Sequence, residues 1–128
     1  MADPVFKSYA ERRALEATKF ESFAVNLSEV KRVTSELLSQ IGKNGLFAEY
    51  TKHDISHIDE VLALADWLVD DETRKHMSDA DWFLITLSIY FHDMGMLVTK
   101  EEFNNRDQSS FAEFCNTELF SGPRSDEY

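Results

Sequence analysis

Apolar residues recur at three- and four-residue intervals along most of the chain, and no segment sustains the every-second-residue alternation of a half-buried strand. A first amphipathic helix is predicted from about Pro4 to Phe23, with a charged middle of Glu11, Arg12 and Arg13 that suits an exposed lead-in or a docking element. Asn26 or Ser28 can cap a second helix, which sets Val30, Val33, Leu37, Leu38 and Ile41 on one face and ends at Gly42 and Gly45. A third, from about Ser56 to Val69, carries the stripe Ile58, Val61, Leu62, Ala65 and Leu68. The charged connector DDETRKH then leads to Ser78, a cap for a fourth helix over Asp79 to Asp93. That helix contains WFLITLSIYF, apolar on nearly every side, which predicts a central element packed all round. A shorter helix from Ser109 to Phe120, with Phe111, Phe114, Cys115 and Leu119 inward, precedes the polar tail SGPRSDEY. The fold class is all-α: a helical lead-in over 1–25, a helical bundle over 26–120 that reads as incomplete at its C-terminal end, and a polar tail over 121–128.

Composition narrows the possible functions. A chain of 128 residues with 43% hydrophobic content can build one packed domain. Its formal net charge of -11 repels a nucleic-acid backbone, so general nucleic-acid binding is not expected. A small phosphorylated substrate stays open, because a bound cation can reverse the local field. The single cysteine, Cys115, excludes an intrachain disulfide and a thiolate zinc cluster and suits a reducing, cytoplasmic setting. The charged N-terminal stretch does not read as a signal peptide, and no apolar run approaches the ~20 residues of a membrane span, so a soluble chain is expected.

The chemistry gathers at SIYFHDMGM, where His92 and Asp93 end the most apolar segment. Burying an ionised carboxylate is costly unless it is paired or bound to a metal. Adjacent helical side chains diverge by about 100°, so this pair could flank one ion but not readily bond to each other. An imidazole nitrogen with a carboxylate oxygen suits a divalent metal such as Mn, Fe, Co, Ni or Zn, given a third ligand. The stretch YTKHDISHIDEVLALA offers it: His57 continues the row Val61, Leu64 and Leu68, which points it inward, while His53 lies one turn earlier. Gly95 lets the chain turn away after the pair.

A histidine opening a helix as HIDEVLALA, followed about thirty residues on by an apolar helix ending FHDMG, resembles the HD-domain superfamily of metal-dependent phosphohydrolases. The resemblance covers about Val30 to Val98, and His53-Asp54 is a decoy copy of the dipeptide. It implies that His57, His92 and Asp93 are metal ligands, the histidines neutral and Asp93 also steering the attacking water in catalysis. It further implies a divalent cofactor (Mn, Fe, Co, Ni, Zn or Mg) and hydrolysis of a nucleotide or other phosphoester. The last family ligand, an aspartate on a later helix, has no convincing match here; Asp107 and Asp126 lie in polar segments. The motif region also resembles HD modules at the front of longer chains with an Hsp90-like ATPase region, including bacterial conflict-system proteins, which implies further domains of the same chain as partners.

Plainer roles compete at each position. His92 and Asp93 could simply cap a helix in water, and His57 could be a core histidine bonded to a carbonyl. His53 is read as exposed or supporting, or as a substrate contact; His76 is read as solvated. Lys100, near the presumed site mouth, could hold a phosphate or just begin a solvated helix. Trp67, Trp82 and the stripe Phe103, Phe111, Phe114 and Phe120 read as packing, with Cys115 a small buried apolar residue on that stripe. Beside the hydrolase stand two other readings: a non-catalytic HD-like sensing or regulatory module, and a helical interaction domain.

Overall fold

The computed structural model of the chain describes residues 5–41, 43, 54–108, 110–119 and 121. Among them are seven α-helices and no strand, so the fold is all-α.

Helix α1 (Tyr9–Ala17) starts at a capping box. Ser8 Oγ accepts the Glu11 N–H at 3.1 Å, and the Glu11 carboxylate reaches back to the Ser8 N–H at 3.3 Å. Pro4 lies outside the described residues. Ala10, Ala14 and Ala17 follow at helical spacing and are all buried, which lets the backbone of α1 lie close against its neighbour. Of the two readings, exposed lead-in or docking element, the first does not hold: α1 packs against helix α5 (Asp79–Phe91) as part of the core.

Helix α2 (Leu27–Leu38) is capped by Asn26, whose side chain accepts the Glu29 N–H at 3.1 Å. Its buried residues are Leu27, Lys31, Thr34 and Leu38, while Val33 and Leu37 are exposed. The inward face is therefore rotated from the one the apolar residues suggest, because Lys31 points in. Gly42 and Gly45, expected to end this helix, lie outside the described residues.

Helix α3 (Ile55–Leu68) begins at Asp54, whose carboxylate accepts the Ser56 N–H at 3.0 Å. Only Ile58 and Leu62 are buried along it; Leu64, Trp67 and Leu68 are 60%, 78% and 73% exposed. Trp67 and Leu68 are not core residues, contrary to the sequence expectation. The charged connector is itself a short helix, α4 (Asp71–His76), capped by Asp70 on the Thr73 N–H at 2.7 Å. Its acids sit in the first turn and its bases in the last, the order that the helix dipole favours.

Helix α5 (Asp79–Phe91) opens with a Ser78–Asp81 capping box and packs against α1, α2 and α3, the central position its apolar surface predicts. Trp82, Phe83, Thr86 and Tyr90 are buried, with the Tyr9 ring edge-on to Trp82 at 5.1 Å. Leu84 and Phe91 stay exposed. Beyond α5 come a 3-10 turn (Met94–Met96), helix α6 (Lys100–Asn104), a second 3-10 turn (Arg106–Gln108), helix α7 (Ser110–Phe114) and a π turn (Cys115–Leu119). Phe103 and Phe114 are nearly half exposed and Cys115 is half-buried, so these three do not form the inward stripe expected. The side chains of Phe111 and Leu119, and residue Phe120, lie outside the described residues. No described helix is long and apolar enough to cross a membrane.

Candidate metal centre

His57 lies in the first turn of α3, while His92 caps the C-terminus of α5 and Asp93 starts the following 3-10 turn. The packing of α3 on α5 brings their polar ends together. His57 Nε2 is 3.3 Å from His92 Nε2 and 3.4 Å from Asp93 Oδ2, and His92 Nε2 is 3.1 Å from the same oxygen. Asp93 is the most sheltered, its side chain 13% exposed against 31% for His57 and 36% for His92.

Three electron-pair donors so close repel one another unless something positive lies among them. A proton on one ring bridges one edge of the triangle well; a cation satisfies all three. The triangle fits a cation by size. A circle through corners 3.1, 3.3 and 3.4 Å apart has a radius of about 1.9 Å, just under the ~2.0–2.2 Å of zinc bonds to nitrogen and carboxylate oxygen. One ion could therefore touch all three atoms from slightly above their plane, leaving its other side open. The His-His-Asp group could hold a metal.

The tautomer is arranged for this. His92 Nδ1 lies 2.6 Å from the Ile89 carbonyl, in the last turn of α5 where carbonyls lack their usual helical partners. Nδ1–H donates to that oxygen, which leaves the Nε2 lone pair aimed at the triangle. The turn after the pair does not need its glycine, however. A Cβ on Gly95 would meet nothing within 4 Å, and its backbone is not left-handed.

His57, His92 and Asp93 thus converge as expected, although His57 does so for a different reason: the row Leu64 and Leu68 it continues runs to the surface. Asp107 is exposed and does not join the group. Lys100 is exposed at the start of α6, and His76 is exposed as expected. His53 and Asp126 lie outside the described residues. The decoy's Asp54 is the N-cap of α3.

A second polar cluster, not anticipated from the sequence, lies in the core. Lys31 Nζ donates to Glu11 Oε1 at 2.6 Å, to Asp59 Oδ1 at 3.0 Å and to the Val5 carbonyl at 3.0 Å, so all three of its protons are used. Tyr90 Oη donates to Glu11 Oε1 at 2.7 Å, and Ser8 Oγ donates to Glu11 Oε2 at 3.0 Å. Burial, followed by the Glu11 contact, pushes the Tyr90 phenol far above its ordinary pKa. Asp66 of α3 also accepts the N–H groups of Tyr9 at 2.6 Å and Ala10 at 3.0 Å, tying α3 to the start of α1. One sequence signal pointed here: Glu11 completes a capping box with Ser8, which fixes its carboxylate at the helix start.

An all-α bundle with a His-His-Asp cluster where two of its helices end defines an HD-like domain. The profile of the HD-CE family, an HD-like family, matches residues 47–127, well over half the chain, and the protein belongs to that family. No curated protein and no solved structure matches the chain. Helices α1 and α2, which supply Glu11 and Lys31, precede the matched segment.

Proposed function

We propose that the protein is a metal-dependent phosphohydrolase acting on a nucleotide or another phosphoester. The observation that carries this reading is the triangle of His57 Nε2, His92 Nε2 and Asp93 Oδ2, with all three separations between 3.1 and 3.4 Å. Membership of an HD-like family agrees with it. Two neutral imidazoles and one carboxylate suit a divalent cation of the Mn, Fe, Co, Ni, Zn or Mg group, and three protein ligands leave positions open for water and substrate, as catalytic sites require.

When bound, such a cation supplies Lewis acidity, lowering the pKa of a coordinated water and polarising a phosphate oxygen. The chain's own residues do the rest. His57 and His92 present lone pairs from the ends of two helices, and the Ile89 carbonyl holds the His92 ring in its donor tautomer. Asp93 contributes the negative charge and orients the attacking water. Lys100, exposed at the start of α6, is the candidate phosphate contact, together with His53. Phe91 and Met94, which bracket the pair, line an apolar groove of about 240 Å³ with Val30, Val33 and Leu37, suited to the non-phosphate part of a substrate. The single cysteine agrees with a cytoplasmic setting, and the negative net charge with small-molecule rather than nucleic-acid substrates.

The test is hydrolysis of a panel of nucleotides and bis(p-nitrophenyl) phosphate by the full chain with added Mn, Co or Zn. Turnover that is lost in His92→Ala and Asp93→Ala supports the reading. Metal binding without turnover on any substrate would instead indicate a sensing module.

A further inference from the structure

Beyond the ligands themselves, we infer that the buried cluster Tyr90–Glu11–Lys31–Asp59 is a positioning device that fixes the register of the two ligand-bearing helices. This rests on the metal reading above. Tyr90 lies two residues before His92 on α5, and Asp59 lies two residues after His57 on α3. Two helical residues correspond to roughly 200° of rotation, so Tyr90 and Asp59 face away from the triangle on their own helices. Behind the site they are joined by a continuous path: the Tyr90 hydroxyl to Glu11 at 2.7 Å, Glu11 to Lys31 at 2.6 Å and Lys31 to Asp59 at 3.0 Å.

Directional bonds do what an apolar contact between α3 and α5 could not. Aliphatic side chains tolerate sliding by a fraction of a turn, whereas a saturated ammonium and a carboxylate held on both oxygens do not. Glu11, Lys31 and Tyr90 are almost fully buried, so water cannot take the place of a lost partner. A slip of about 1 Å would open the triangle beyond the reach of one ion. The hub residues Glu11 and Lys31 come from the N-terminal helices outside the family match, so α1 and α2 act as a brace for a metal triangle to which they contribute no ligand.

The test uses the full chain stripped of metal and titrated with Co(II), following both affinity (by chelator competition) and the visible d–d spectrum. Tyr90→Phe removes one hydroxyl and leaves the Glu11–Lys31 pair, so helicity and cooperative unfolding are expected to survive. Its Co(II) affinity should fall about tenfold, the lower end of what outer partners of metal ligands contribute, with an altered spectrum. Lys31→Met should give a larger loss. Leu38→Val, a core truncation that removes no member of either polar cluster, should lower the melting temperature while leaving affinity and spectrum unchanged. The inference is overturned if Tyr90→Phe binds Co(II) with wild-type affinity and spectrum, or if Leu38→Val loses as much affinity as Tyr90→Phe. Failure of the unaltered chain to bind Co(II) defeats the metal site itself and takes this inference with it.

Discussion

Two clusters of ionisable side chains sit on different faces of the same helix ends, the start of α3 and the end of α5, and they are built on opposite plans. In the core, Lys31 meets three acceptors, and Glu11 takes donors on both oxygens. At the ends of α3 and α5, three lone-pair atoms face one another across 3.1 to 3.4 Å, with two of them identical ring nitrogens. The first arrangement is saturated by its own donors and acceptors; the second could hold a metal. A saturated buried network holds structure, whereas converging donors at a half-open helix end hold a ligand.

The sharpest way to break this contrast is to exchange the damage. Glu11→Ala leaves the Lys31 ammonium buried without its main partner, and loss of about 3–5 kcal/mol of folding stability is expected by urea denaturation. His57→Ala, at a part-exposed helix start, should change stability by less than ~1 kcal/mol while abolishing stoichiometric metal. If His57→Ala unfolds the chain, or Glu11→Ala does not weaken it, the two clusters are not distinct in kind.

The core cluster should also impose a limit on the alkaline side. A phenol in an unfolded chain titrates near ~10, and that of Tyr90 in the folded state lies far higher. Below pH ~10 both states keep the proton, so its contribution is fully present. As pH rises past that point only the unfolded state releases it, and stability falls. Urea midpoints between pH 9 and 11 should therefore decline, and decline less in Tyr90→Phe.

Smaller effects sharpen the picture of α5. Thr86 Oγ1 is buried with no hydrogen-bond partner among the described residues, so the isosteric Thr86→Val should be neutral or stabilising by up to ~1 kcal/mol. Gly95→Ala, with open space at its Cβ, should leave both melting temperature and metal affinity within error of the original.

Much of this was legible in the sequence. Helix periodicity and the caps Asn26 and Ser78 placed α2, α3 and α5, and the run WFLITLSIYF placed α5 at the centre. The meeting of His57 with His92 and Asp93 was legible from motif spacing and family likeness rather than from periodicity, since the row behind His57 faces water. What stayed hidden has a common cause. Hydrophobic patterning assigns Lys outward and Trp inward, and here Lys31 is inside because three acceptors from separate segments meet it, while Trp67 is outside. Long-range partners of that kind leave no local trace. The short α4 was missed because its cap and charge order, not an apolar stripe, define it.

The most direct measurement asks whether His57, His92 and Asp93 hold one cation between α3 and the end of α5. X-ray absorption at the Co or Zn edge of the metal-loaded 128-residue chain counts the imidazoles bound to the metal. Two imidazoles per ion are expected in the unaltered protein and one in His57→Ala, with short N/O bonds only. No imidazole scattering, or an unchanged count in His57→Ala, would contradict a shared cation site.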